Sequence, residues 1–219
     1  MSPNSVHHQP VSRICDAALV VIGRTSAYAR IMALLSNMVP LGTPLPDVTL
    51  PRLDGSHVGL AQIRGSGCLL VVFAANHCPY VRHVESALGA LVAEFGDEPL
   101  TVVAIGSNDV AQYPDDDAEH LREQQHRAGW NFPYLIDEDQ SAARAFRAAC
   151  TPDFFLYDSD GVLAYRGAFD ASTPKNGEPL TGDMLRNAIT ATMNGEPVPA
   201  PHKPAMGCGI KWKPGNEPS

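Results

Sequence analysis

The sequence predicts an α/β fold in which helices cover a mixed central sheet. Three observations carry it. Two apolar runs, Cys68–Phe73 (CLLVVF) and residues 100–105 (LTVVAI), have the length and composition of buried strands. A long amphipathic segment, residues 79–95, lies between them, so the two strands are expected to be parallel neighbours joined by a right-handed crossover. Further on, residues 154–157 and 162–166 flank Asp158-Ser159-Asp160-Gly161, which reads as a hairpin.

The elements follow in order. Residues 1–37 carry no strong period and are expected to be a disordered or dispensable extension. Residues 14–22 form a short apolar run after Arg13, but Asp16 interrupts it, which argues against a secretory signal. Residues 46–51 and 57–60 flank Asp54-Gly55 and suggest a short hairpin. After the strand–helix–strand unit, Asp115-Asp116-Asp117 offers N-cap chemistry for a helix over residues 118–128 and otherwise reads as a solvated loop. Residues 132–136 suggest a short strand and residues 140–148 a short helix. A last helix over Asp183–Met193 stops near Gly195. Residues 38–196 thus form the domain, and residues 197–219, rich in Pro, Gly and Lys, an extended tail.

The chemistry concentrates at Asn76-His77-Cys78-Pro79-Tyr80-Val81. A buried strand ends there and a helix begins, which places the Cys78 thiol at a helix N-terminus. Unpaired backbone N–H groups and the helix dipole favour the thiolate at that position. Pro79 suits a first helical turn, where its missing N–H costs nothing. Lys+Arg 16 against Asp+Glu 24 gives a net charge of -8 with no basic cluster, so neither nucleic acid nor an anionic membrane is an expected partner. The five cysteines are too sparse and scattered for a disulfide scaffold and fit catalytic or buried thiols in a reducing, cytoplasmic compartment. Cys78 with His77 and His83 could be read as a metal cluster, but tight sites need more converging ligands, so no metal is expected.

From about residue 38 to 213 the sequence resembles the peroxiredoxin-like branch of the thioredoxin-fold redoxins, the alkyl hydroperoxide reductase and thiol-specific antioxidant family. The matching residues are Pro40-Leu41-Gly42-Thr43-Pro44 with Pro46-Asp47, the Asn76–Val81 segment with His83, and Cys150-Thr151-Pro152-Asp153-Phe154. Tyr165-Arg166-Gly167 with Asp170, and Gly207-Cys208-Gly209-Ile210-Lys211-Trp212-Lys213, match as well. The resemblance implies a thioredoxin-like fold with an N-terminal β-hairpin, and a cis-proline, Pro152, facing Cys78. It implies a thiol-dependent oxidoreductase that reduces peroxides or disulfides, without an organic cofactor, and takes electrons from a thioredoxin or a small thiol.

One departure matters. Relatives carry a cysteine, or in typical peroxiredoxins a Thr or Ser, three residues before the active cysteine; here that residue is Ala75. Any disulfide at Cys78 must therefore recruit a distant cysteine. Cys150, two residues before the implied cis-proline, is the favoured resolving thiol, because the loop facing Cys78 needs only a modest approach. Cys208, between glycines in the tail, is the alternative and would need a larger movement. Cys68 reads as strand filler, and Cys15 lies in the extension. Arg82, Arg144 and Arg166 are candidates to polarise a peroxide, with surface arginines as the plainer reading. The competing function is a non-enzymatic thioredoxin-fold binding or redox-sensing protein that kept one thiol.

Overall fold

A computed structural model describes residues 33–96 and 98–218 of the 219-residue chain. Cys15 and the expectations for residues 1–32 lie outside the described residues.

In chain order the elements are β1 (Ala33–Leu35), β2 (Thr49–Pro51), β3 (His57–Gly59), α1 (Leu60–Arg64), β4 (Cys68–Phe73), α2 (Pro79–Glu94) and β5 (Leu100–Gly106). A 3-10 turn, Pro114–Asp116, then precedes α3 (Ala118–Arg127), β6 (Tyr134–Ile136), α4 (Ser141–Phe146) and β7 (Cys150–Thr151). The chain continues through β8 (Asp153–Tyr157), β9 (Leu163–Gly167), α5 (Asp183–Met193) and β10 (Met206–Gly209). The central sheet has the order β6-β5-β4-β8-β9. β4 pairs in parallel with β5, as expected of two buried runs joined by a helix, and antiparallel with β8. β2 and β3 form the expected hairpin.

β4 is buried at every residue because both faces of the sheet are covered. Its alternate side chains feed two cores. Leu70 and Val72 pack with Val84, Leu88 and Leu91 of α2 and with Leu185 and Ile189 of α5. Leu69, Val71 and Phe73 pack with Phe155, with Phe146 of α4 and with the hairpin residues Leu50 and Val58. The buried α2 positions Val81, Val84, Leu88 and Leu91 recur at helical spacing. Gly89 lets α2 lie close to the chain after α3: a Cβ there would stand 2.5 Å from the Ala128 carbonyl oxygen. No helix among the described residues is long and apolar enough to cross a membrane.

The two chain ends depart from expectation. Residues 33–37, expected to belong to the extension, and the tail beyond residue 196 join in a second sheet of order β1-β10-β7. β10 is its middle strand, with Cys208 opposite Ala33 on one side and Thr151 on the other. Ser36 and Ala205 exchange further hydrogen bonds beside it. Within the tail, β10 is bound along both edges. Its pairing partners lie about 60 and 170 residues away in sequence. That is why local pattern did not reveal it.

Candidate active site

Cys78 is the N-cap of α2, with Pro79 at the first helical position. Its side chain is fully buried at the C-terminal end of β4. The turn that carries it is held from several directions. Asn76 donates to the Asp115 carbonyl at 2.8 Å, its own carbonyl accepts from Arg82 Nε at 2.6 Å, and its side-chain oxygen accepts from Arg127 at 2.9 Å. Arg127 in turn grips the buried Glu85 with both forks, at 2.8 and 3.0 Å. The Thr151–Pro152 bond is cis, as the resemblance implied, and the Thr151 carbonyl oxygen lies 3.1 Å from Cys78 Sγ.

Among the described residues the nearest thiol is Cys208. Its Sγ lies 2.8 Å from Cys78 Sγ, and the residue is 2% exposed. Burial alone would raise the Cys78 pKa. Hydrogen bonds, first from the Cys208 thiol and then from the backbone amides of Val81 and Cys208, outweigh it and lower the pKa to about 6. Val81 lies in the first turn of α2, so the helix N-terminus contributes as expected. The Cys208 pKa is raised, first by its hydrogen bond to Cys78 and then by burial. Near neutral pH the pair therefore shares one proton, with the charge on Cys78.

The expectation that Cys150 is the better-placed partner is corrected. Cys208 pairs with Thr151, while Cys150 pairs with Gly209. Side chains alternate across a strand, so Thr151 and Cys208 share the face toward Cys78 and Cys150 takes the other. Cys150 Sγ sits 3.6 Å from the Pro152 carbonyl oxygen, fully buried, and burial drives its pKa well up. The glycines around Cys208 read as signs of mobility, but Gly207 instead permits close approach. A Cβ there would lie 2.0 Å from the Thr151 carbonyl oxygen. Cys68 is core filler in β4, its pKa raised by burial.

A second correction concerns Asp116, expected in a solvated loop. It is 4% exposed and accepts from the backbone N–H of His77 at 3.1 Å and from Asn108 at 2.8 Å. Its Oδ2 also lies 2.5 Å from His77 Nδ1. Nothing in three consecutive acids distinguishes the buried one. The one sequence signal was the neighbouring Pro114, which opens the 3-10 turn that points Asp116 inward. Asp117 does cap α3, accepting from the Glu119 and His120 amides.

His83 Nε2 lies 3.0 Å from Ser172 Oγ. It lines a cavity of about 350 Å³ beside the cysteine turn, whose apolar wall includes Tyr80, Val84, Pro152, Phe154, Phe169 and Met206. Arg144 binds the Asp139 carbonyl and Arg166 approaches His202 Nδ1, so neither joins the site. Among the described residues no three His, Cys, Asp or Glu side chains converge to hold a metal ion.

A depressed thiol at a helix N-terminus after a buried strand, opposite a cis-proline loop, places this chain among the thioredoxin-fold thiol oxidoreductases. The sequence narrows that class: residues 41–166, more than half of the chain, match the AhpC/TSA family, and the chain belongs to it. The crystal structure of a hypothetical protein from Sinorhizobium meliloti 1021 is similar at 42% identity and a TM-score of 0.80, over 83% of this chain and 99% of that one. An uncharacterized conserved protein from Geobacillus kaustophilus is 43% identical with a TM-score of 0.81, over 84% of this chain and 97% of that one. A secreted disulfide oxidoreductase of Mycobacterium tuberculosis shares the fold at 19% identity and a TM-score of 0.52, over 66% of this chain and 96% of that one. A search of the curated proteins found no match.

Proposed function

We propose that the protein is a thiol–disulfide oxidoreductase in which Cys78 attacks and Cys208 resolves. The 2.8 Å approach of the two sulfurs, with the charge placed on Cys78, is the observation that carries this reading. The Cys78 thiolate attacks one sulfur of a substrate disulfide, forming a mixed disulfide and releasing the other sulfur as a thiolate. With Cys78 no longer anionic, the main cause of the raised Cys208 pKa is gone. Cys208 then loses its proton and attacks Cys78, which expels the second substrate thiol and leaves a Cys78–Cys208 disulfide. A thioredoxin or a small thiol returns the pair to the dithiol. Ala75 offers no hydroxyl to hold a peroxide, which favours a disulfide over a peroxide as oxidant. The cavity beside Pro152 and Tyr80 gives the body of a substrate an apolar seat next to the buried thiol.

The test is single-turnover oxidation of the reduced protein by an equimolar dialkyl disulfide or by hydrogen peroxide, followed by peptide mapping. A Cys78–Cys208 crosslink formed faster from the disulfide is the expected result, and Cys208→Ser should trap the mixed disulfide on Cys78. Faster reaction with peroxide would make the protein a peroxidase. A Cys78–Cys150 crosslink in the native protein would overturn the assignment of Cys208.

A further inference from the structure

We propose that His77 donates a proton to the departing sulfur when Cys78 attacks a disulfide, and that Asp116 is the positioning residue that orients its ring. This rests on the thiol–disulfide reading above. Thiol–disulfide exchange leaves charge on the sulfur that departs, and a basic alkanethiolate is a poor leaving group. An adjacent acid that hands over a proton as the bond breaks removes that penalty.

The geometry supplies such an acid beside the nucleophile. His77 immediately precedes Cys78, and Asp116 accepts from both its backbone N–H and its Nδ1. This leaves Nε2 as the donor that can be handed on, and it has no hydrogen-bond partner among the described residues. The ring is 19% exposed, while the carboxylate behind it is 3% exposed. The Tyr113 ring stacks on the imidazole, with centroids 5.1 Å apart, and fixes its plane. Asn108 holds the same Asp116 oxygen that faces Nδ1. An exposed loop histidine would have none of these four restraints.

The charges around the ring agree. The hydrogen bond to Asp116 raises the His77 pKa; burial opposes it, and the charges of Asp116 and Cys78 add to the rise. Lys211, which stands 5.6 Å from the Tyr113 centroid, works in the lowering direction. With Cys78 ionised from about 6 upward and His77 still protonated above the usual histidine range, thiolate and acid coexist near neutral pH.

The step balances. The Cys78 Sγ–S bond forms, the substrate S–S bond breaks, and its electron pair leaves on the second sulfur. That sulfur takes the Nε2 proton and departs as a neutral thiol, and the imidazole recovers a proton from solvent.

Leaving-group dependence tests the proposal in the full-length protein. Two oxidants are compared: an aromatic nitrobenzoate disulfide, whose acidic thiolate leaves unaided, and bis(hydroxyethyl) disulfide, whose basic thiolate does not. His77→Gln should slow the second by about 100-fold and the first by less than about threefold. In Asp116→Asn, the alkaline limb of the profile for the alkyl disulfide should move to lower pH. Equal slowing of both oxidants by His77→Gln would show that His77 only shapes the loop, and an unmoved limb in Asp116→Asn would remove Asp116 from the proposal. If the unmodified protein reacts with neither disulfide at Cys78, the thiol–disulfide reading fails instead, so the two failures are distinct.

Discussion

At the scale of single residues, the site divides into what sequence pattern encodes and what only packing reveals. Cys78 was legible because a strand, a Cys-Pro step and an amphipathic run are all local signals. The acid that braces its neighbour was not, since Asp115, Asp116 and Asp117 look alike in sequence and differ only in the direction each side chain takes. Which thiol lies beside Cys78 was not legible for a related reason. Proximity to Pro152 in sequence favoured Cys150, but strand alternation turns that side chain away and brings Cys208 in from the far end of the chain. The hydrogen bond from the Cys208 thiol is also the largest of those that lower the Cys78 pKa. Cys208→Ala should therefore raise the Cys78 pKa above about 6, toward the free-thiol value of about 8.5. The pH dependence of iodoacetamide alkylation, or of thiolate ultraviolet absorbance, measures this directly. A profile unchanged by the substitution would mean that the backbone amides alone set the thiolate.

At the scale of elements, the central sheet and its helices were readable and the second sheet was not. β4, α2, β5, α3 and α5 each announce themselves through an apolar period and a cap or breaker. β1, β7 and β10 are two to four residues long and have no period to read; their identity lies in pairing across the chain. β10 is the element on which the proposed chemistry depends, and its two glycines make different predictions. At Gly207 an added methyl meets the Thr151 backbone, which cannot yield without moving the cis-proline loop. At Gly209 it meets only the Leu34 side chain, at 2.9 Å, and that side chain can swing aside. Gly207→Ala should cost roughly 1–3 kcal/mol in chemical denaturation and slow formation of the Cys78–Cys208 disulfide, and Gly209→Ala should do neither. Similar losses at both positions would mean that β10 needs glycine for flexibility rather than for close approach. β1 tests the other edge. A chain beginning at residue 38 lacks β1 and Ser36, and should melt lower and oxidise more slowly than one beginning at residue 32. Equal melting temperatures would show that β10 holds its place without β1.

At the scale of the whole molecule, a Cys78–Cys208 disulfide would close a loop of 130 residues, joining the middle of the chain to its end. In the chain-entropy account, such a crosslink removes about 5 kcal/mol of conformational freedom from the unfolded state. The reduced protein has an opposing term. The Cys78 pKa falls from about 8.5 in the unfolded chain to about 6 in the folded one, so ionisation favours the folded dithiol. For a depressed pKa the stabilisation is complete above the unfolded value and vanishes as pH falls below the folded one. It is worth about 1 kcal/mol near neutral pH, more on the alkaline side and almost nothing on the acid side. The crosslink term carries no such dependence. The oxidised protein should therefore unfold at higher denaturant than the reduced one by a few kcal/mol. That difference should be widest below about pH 6 and should narrow steadily toward about pH 8.5. Denaturation of both redox forms across this range is the measurement, with Cys208→Ser as a control whose stability should not respond to the oxidant. If the two forms have the same stability at every pH, either the crosslink strains the fold by as much as it constrains the unfolded chain, or the sulfurs do not join. Intact mass under denaturing conditions separates those two outcomes. A gap that widens toward alkaline pH would instead place the charge of the reduced pair somewhere other than on Cys78.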